Sequence, residues 1–468
     1  MSARDEAFDA WALPAGVAPP ADEMDRYETD RLEVRYPRAT SVRMGGLVDA
    51  LLEARGPLLS RRAADVVRVL GKVGSRFLDP NDRLRLAALE LLPPTSGLSP
   101  QMAEAVLDGM ASDWSTDRLE GTLRAELGGP EALDGFIERA GGRVRAMPPR
   151  LCTQILSGSV PGVGVTALLR SLMIKAPTLL KPGRGDVVLP TLFARALREE
   201  DPELADATAV LYWPGGSEEA EEVALGAADV VTVYGDDRTT LSLRARVPVT
   251  ALFVPYHHRV SFAVVGRGAL EAAGVRRAAC DAAGAVAFFD QRGCVSPQVI
   301  YVEEGAEIDP RAFAAELADA LGRLEETLPA GTLDTLEAST VHQVRGTAEL
   351  REASGEGLRV HHGGRAFWTV IYDPAPGFEV SCVGRVVRVK PVNDVLELVA
   401  RIAPFREHLQ TVGVTGCDDR LDALAEALAG AGITRVAPLS EVPFPPPWWH
   451  HDGRGPLRVL LRWVDLEI

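Results

Sequence analysis

From Ser41 to about Gly142 the apolar positions recur at helical spacing. Val42, Leu47, Leu51 and Leu52 mark one stripe, and Val66, Val67, Val69, Leu70 and Val73 mark a second. This is the i, i+3, i+4 pattern of helices that bury one face. Pro93-Pro94 and Gly97 predict a break, and Met102, Val106 and Met110 begin another helix. Residues 1–40, rich in Pro, Asp, Glu and Arg, are expected to be loosely ordered, with a short strand at Leu32–Tyr36.

At Leu151 the pattern changes. Leu151–Leu156, Thr178–Lys181, Ala207–Tyr212, Val230–Tyr234 and Leu252–Val254 are short apolar runs that predict strands, with helices at 168–175, 188–199, 218–227 and 238–244. That alternation predicts an α/β fold with a doubly wound parallel sheet, whose ligands bind beyond the carboxyl ends of the strands. A second α/β pattern starts at Ser261. It holds helices at 270–283, 308–328, 394–402 and 421–429, and strands at 298–302, 367–372, 386–389, 411–414 and 434–436. Pro443–Pro447 is a rigid run, and Leu457–Leu466 reads as a terminal strand. The expected divisions are 1–145, 146–258, 259–440 and 441–468.

A chain of 468 residues divides into two or three cores. Its net charge of −16 argues against a general nucleic-acid binder, because phosphate neutralisation needs a basic surface. The amino terminus lacks the basic start and apolar run of a signal peptide, and no stretch approaches 18 uninterrupted apolar residues, so no membrane span is expected. Cys152, Cys280, Cys294, Cys382 and Cys417 are odd in number and form no CxxC pair, which speaks for reduced thiols in the cytoplasm.

One thiol has a distinctive setting. In AVAFFDQRGCVSPQVIYV, an apolar run ends at Asp290-Gln291-Arg292-Gly293, Cys294 follows, and Ser296-Pro297 leads into a strand. Gly293 removes bulk beside the thiol and Pro297 limits helix continuation. A cysteine near a core is more often structural. What lifts Cys294 is its Asp-Gln-x-x-Cys-x-Ser-Pro-Gln context.

That context resembles the nucleophile segment of the long-chain fatty acyl-CoA reductases, the LuxC family within the aldehyde dehydrogenase superfamily. Four further stretches agree in order: Gly158–Arg170, Lys175–Lys181, Phe367–Pro391 and Trp449–Glu467. The resemblance implies an aldehyde dehydrogenase-like fold. Residues 1–145 would be a helical region packing on a nicotinamide cofactor-binding domain at 146–258, 259–440 a catalytic thiol domain, and 441–468 a tail with a possible role in oligomerisation. It also implies NADPH-dependent reduction of a fatty acyl-CoA or acyl-carrier thioester to the aldehyde through an acyl-thioester on Cys294, in a homo-oligomer that an acyl-supplying enzyme could serve.

The resemblance assigns further roles. The family reads Gly-Asn-Val-Pro-Gly where this chain has Ser159, so a hydroxyl stands in for the amide that steadies the oxyanion. Lys181 matches the lysine that binds the adenosine ribose, Arg184 suits a 2′-phosphate, and Gly215 and Glu379 join the cofactor-binding set. Phe288, Phe289 and Tyr301 flank the thiol as candidate acyl-tunnel residues, although aromatics in buried strands are normally core. ALFVPYHHRVSF carries no carboxylate where aldehyde-oxidising relatives keep a glutamate base, which suits a reductase; His257 or His258 could relay a proton, or be ordinary strand-end residues. His361-His362 and His450-His451 have no carboxylate at ligand spacing, so no metal is expected. Two alternatives stay open: a CoA-acylating dehydrogenase for short or specialised acyl groups, and a catalytically silent acyl-binding relative, the latter motivated by Ser159.

Overall fold

The computed structural model describes residues 7–17, 23–29, 31–139, 141–364, 368–382 and 384–467. The alternation that starts at Leu151 becomes a six-stranded sheet. Five strands, Cys152–Ile155, Thr178–Lys181, Thr208–Leu211, Val230–Tyr234 and Leu252–Tyr256, are parallel. Trp11–Ala12 adds an antiparallel edge against Thr208–Leu211. In space the chain-ordered strands run fifth, fourth, first, second, third. Parallel strands carry helices on both faces, so they are apolar throughout rather than alternating. Leu179, Ala209, Leu211, Val231 and Val233 pack with Met44, Leu47 and Leu51 of the helix Ser41–Glu53 in one buried cluster. The strand order reverses between Cys152–Ile155 and Val230–Tyr234, and it is beyond the carboxyl ends at such a switch point that open α/β sheets bind ligands. This unit comprises residues up to 96, 104–257 and 446 onward.

The other unit, residues 97–103 and 258–445, is built on a seven-stranded sheet. Its order is Arg359–His362, Thr369–Tyr372, Val386–Val392, Pro297–Glu303, Val260–Val265, Leu409–Thr415 and Arg435–Pro438, all parallel except the first. Val260, Phe262, Val264, Val299 and Tyr301 share one buried apolar cluster with Leu398, Leu424 and Leu428.

Several expectations need correction. The described part of residues 1–40 is not loosely ordered: Ala7–Asp9, Glu33–Pro37 and Met24–Glu28 make a three-stranded sheet in that order. Residues 1–6, 18–22 and 30 lie outside the described residues. The helix Arg83–Ser96 runs through Pro93 and Pro94 instead of breaking there. Thr95 and Ser96 hydroxyls close on the Leu91 and Leu92 carbonyls, and the turn comes at Gly97, where φ is +77°. The helical layer ends earlier than expected, because Ile137–Arg139 and Gly142–Met147 are strands. Gly142–Met147 pairs with the terminal strand Arg462–Leu466 of the same chain. The helix Thr335–Ala353, fixed by a capping box between Asp334 and Glu337, has no counterpart among the sequence expectations. The strand expected at 367–372 is Thr369–Tyr372, and Phe367 lies outside the described residues.

Candidate active site

The helix Val275–Ala287 does not pass directly into a strand. It ends in a short turn, Phe288–Gln291, in which three consecutive non-glycine residues take left-handed backbones: Phe289, Asp290 and Gln291, with φ of 57°, 49° and 64°. Each such residue costs on the order of 1–2 kcal/mol. Arg292 and Gly293 follow, and then Cys294, exposed, three residues before the strand Pro297–Glu303. A Cβ on Gly293 would lie 3.1 Å from the Ser296 hydroxyl and 3.3 Å from the Phe289 ring, so this position favours glycine by contact rather than by φ.

The strained turn is held by buried polar groups. Asp290 is 2% exposed, and one carboxylate oxygen accepts a hydrogen bond from Nε of Arg385 at 2.9 Å and lies 2.8 Å from a terminal guanidinium nitrogen as an ion pair. Its other oxygen accepts the Gly331 amide at 3.1 Å. Arg385 also has a left-handed backbone, with φ of 57°, and continues the network to Glu325 at 2.8 Å and to the Leu328 carbonyl. Burial raises the Glu325 carboxyl above its ordinary range, opposed by the Ala330 amide and by Arg385. Gln291 donates to the Pro297 and Val386 carbonyls at 2.9 and 2.8 Å, tying both ends of the loop to adjacent strands. The Cys294 carbonyl accepts from the Ser261 hydroxyl at 2.7 Å. A thiol is therefore presented on a rigid frame at the amino-terminal edge of the sheet.

The candidate aromatics separate. Phe288 and Phe289 lie against Phe444, with ring centroids 5.1 and 5.4 Å apart. Tyr301 is fully buried within the strand, edge-on to Phe262, and burial pushes its phenol up to about 12. Glu379 sits beside cations, 2.8 Å from Arg388 and 3.5 Å from Lys390, in a group completed by the buried Asp373.

In the other unit, the loops after the first two parallel strands meet backbone to backbone. A Cβ on Gly183 would lie 2.1 Å from Ser157, so no side chain fits at that contact. Ser159 is exposed, its hydroxyl 3.4 Å from that of Ser157. Asp186 is buried and accepts the Gly162 and Gly164 amides at 2.9 and 2.8 Å, capping the helix Val163–Met173. Burial pushes its carboxyl up to about 7 against the pull of those two amides. Lys181 is half-buried at the carboxyl end of its strand, with its amine 5.8 Å from the Tyr212 ring centroid. Burial lowers its pKa, with Glu221 opposing. Arg184 lies 4.3 Å over the Tyr27 ring and donates to the Glu28 carbonyl at 3.1 Å. Gly215 and Gly216 form an open turn before the helix Glu218–Gly226.

The fold supplies carboxylates that sequence spacing hides. His257 lies 3.4 Å from Asp237, His362 3.4 Å from Glu349, and His450 3.9 Å from Glu126. The Trp-His-His-Asp-Gly-Arg motif gains a structural role. Trp449, His451, Tyr256 and Tyr234 stack in one column, with successive centroids 4.7, 4.3 and 4.6 Å apart, and Arg454 donates to the Pro255 carbonyl. Sequence reasoning missed Arg385 and Asp186 as supporting residues. An arginine opening an apolar strand and an aspartate closing a glycine-rich loop were the available signals.

Comparison with known proteins shows the family and the fold. The family model described as acyl-CoA reductase (LuxC) matches residues 59–463. The long-chain acyl-protein thioester reductase of Photobacterium phosphoreum is 25% identical over 408 residues, covering 86% of this chain and 80% of that one. The corresponding protein of Aliivibrio fischeri is 25% identical over 409 residues, with 86% and 82% covered. Among solved structures, an NAD-dependent aldehyde dehydrogenase from Sinorhizobium meliloti superposes with a TM-score of 0.76 at 16% identity, covering 99% of this chain and 95% of that one. A variant of aldehyde dehydrogenase C from Pseudomonas syringae, solved with NAD+ and octanal, gives 0.73 at 14% identity, with 100% and 97% covered. Among the described residues no helix is long and apolar enough to cross a membrane. With the family model spanning most of its length and an aldehyde dehydrogenase fold beneath it, the chain belongs to the acyl-CoA reductase (LuxC) family of enzymes.

Proposed function

We propose that this enzyme reduces a long-chain fatty acyl thioester to the aldehyde, using NADPH and an acyl-thioester on Cys294. The observation that carries the reading is the exposed Cys294 on a strained turn locked by the buried Asp290–Arg385 pair, because a structural cysteine needs no such frame. The curated relatives are named for acyl-protein thioesters, so a protein-bound acyl group stands beside acyl-CoA as donor.

The cofactor residues fit a nicotinamide dinucleotide. Lys181 offers an amine with no carboxylate in ion-pair range among the described residues. Arg184 offers a guanidinium with one N–H committed to a carbonyl, and the Gly215–Gly216 turn is open. The helix end at Gly162–Gly164 is already capped by Asp186, which leaves the Gly215 turn as the better place for a pyrophosphate. Arg184 would pair with a 2′-phosphate and Lys181 with the adenosine ribose. Bound there, such a cofactor would be a source of hydride for the acyl carbon.

The chain's own residues do the rest. Cys294 attacks as thiolate; its sulfur–carbon bond forms as the donor's breaks, and the donor leaves as a thiol. Cys294 then holds the acyl group and departs as thiolate when the aldehyde forms. Ser159 would steady the oxyanion in between. In this reading Lys181, Arg184 and Gly215 belong to the cofactor region 146–258, and Cys294, with Glu379 of the cofactor set, to the thiol region 259–440. The test follows NADPH oxidation and aldehyde formation with tetradecanoyl-CoA and with a tetradecanoyl-carrier protein, for the wild type and Cys294→Ala. Turnover that survives in the variant contradicts the reading.

A further inference from the structure

The seven-stranded sheet has two ends, and Cys294 stands at the amino-terminal one. From Val260–Val265 the chain winds first to Pro297–Glu303 on one side. It later returns to Leu409–Thr415 and Arg435–Pro438 on the other, so the winding reverses between Val260–Val265 and Leu409–Thr415. Open α/β sheets bind ligands beyond the carboxyl ends at such a reversal. A cavity of about 430 Å³ opens at that place, within the size range of small-molecule sites. It is lined by Gly268 and Ala269 after the first of these strands, Gly416 and Cys417 after the second, and Pro438 and Leu439 after the third. The seven residues of Pro297–Glu303, about 20 Å at the usual rise, measure the separation of the two ends.

The loops that floor the cavity meet without room for side chains. A Cβ on Gly266 would lie 2.3 Å from the Gly416 carbonyl oxygen and 2.6 Å from Sγ of Cys417. One on Gly416, where φ is +68°, would lie 2.4 Å from the Ala269 nitrogen. Gly266-Arg267-Gly268 after a strand opens like a dinucleotide fingerprint but lacks its third glycine. In that fingerprint an acidic residue further on holds the ribose. Glu303, buried at the carboxyl end of the neighbouring strand, is already engaged. It accepts from Arg420 at 2.7 and 2.8 Å and from the Arg267 amide at 3.1 Å.

The carboxylate that the cavity does offer is Asp281, on the helix Val275–Ala287. Burial raises its carboxyl above the ordinary range, and Arg277, one turn earlier at 4.0 Å, opposes that. Val414, Leu421 and Val436, all half-buried, supply an apolar wall. Arg277 is the one cation of the lining against the carboxylates of Asp281 and Asp418, a balance that disfavours a polyphosphate.

We propose that this cavity is a second small-molecule site, for a nucleoside whose base lies on the wall of Val414, Leu421 and Val436 and whose ribose 2′- and 3′-hydroxyls donate to Asp281. The site is built within one sheet and depends neither on Cys294 nor on the residues that hold the nicotinamide cofactor.

The experiment is photolabelling of the full-length protein with 8-azidoadenosine, with NADPH in excess to cover the cofactor sheet, mapped on peptides by mass spectrometry. Label should saturate on peptides carrying 414–421 or 436–440, and adenosine should compete for it. 2′,3′-Dideoxyadenosine should compete about tenfold less well, the size for losing hydrogen bonds to a charged group. Asp281→Ala should bring the two nucleosides level. Ser440→Trp, at an exposed lining position, should abolish the label whether or not Asp281→Ala folds. Label that maps only elsewhere or does not saturate, equal competition by the two nucleosides in the wild type, a tenfold difference that persists in Asp281→Ala, or saturable label in Ser440→Trp overturns the proposal.

Discussion

Asp290 and Arg385 are 95 positions apart, both buried, both in left-handed backbone conformations, and joined by a carboxylate–guanidinium pair at 2.8–2.9 Å. Strain on one side of the pair is therefore held by strain on the other. The cysteine turn and the start of the strand Val386–Val392 behave as one piece.

Removing one partner should expose that dependence. Arg385→Ala leaves the Asp290 and Glu325 carboxylates buried without their cation and is expected to cost about 3–5 kcal/mol. Urea unfolding measures the loss, and Cys294 alkylation in the native baseline should become less selective as the turn relaxes. Wild-type stability in Arg385→Ala would show the pair to be incidental.

Asp186 gives a pH dependence with a defined sign. The unfolded chain releases this proton near 4 and the folded chain near 7, where burial outweighs the Gly162 and Gly164 amides. The native state thus holds an extra proton between those values, and its contribution to stability falls as pH rises from about 4 through 7 and is flat above. Thermal melts at pH 5 and pH 8 should differ more for the wild type than for Asp186→Asn. The opposite ordering would mean the two amides dominate.

Arg184 should set cofactor choice. Arg184→Ala is expected to weaken NADPH binding about tenfold or more, as loss of a charge-assisted pair to phosphate would, while NADH binding changes little. Fluorescence titration of both cofactors tests this without substrate. Equal loss for the two would place Arg184 away from the 2′-phosphate.

Ser159 is exposed, so its replacement should leave stability unchanged and act on chemistry alone. Ser159→Ala is expected to lower kcat roughly 10²-fold with little change in KM, the scale for one oxyanion donor. Unchanged kcat would transfer the task to backbone amides.

Local pattern carried much of this fold. The βαβ alternation pointed to the doubly wound sheet, since apolar runs between helices are what a doubly covered parallel sheet requires. The Cys294 context was legible because its residues are consecutive. Arg385 was not, because its partner lies 95 residues away and no spacing rule joins them. The strand expected at Leu32–Tyr36 is present as Glu33–Pro37, but its neighbours Ala7–Asp9 and Met24–Glu28 were hidden by their charges, which read as solvent-facing. In the fold they are cross-strand pairs, Arg26–Glu33 at 3.2 Å, Arg35–Asp9 at 2.9 Å and Arg38–Asp25 at 2.9 Å. Val34 and Tyr36 between them turn inward. Pro93 and Pro94 misled because they lie in the last turn of a helix that ends at Ser96, close to the break expected there.

The most direct measurement is the intact mass of the protein after incubation with tetradecanoyl-CoA, or a tetradecanoyl-carrier protein, without nicotinamide cofactor. One acyl group should be gained, map to Cys294, be absent in Cys294→Ala, and be discharged as tetradecanal on adding NADPH. An acyl group on another residue, or aldehyde formation by Cys294→Ala, would contradict Cys294 as the nucleophile.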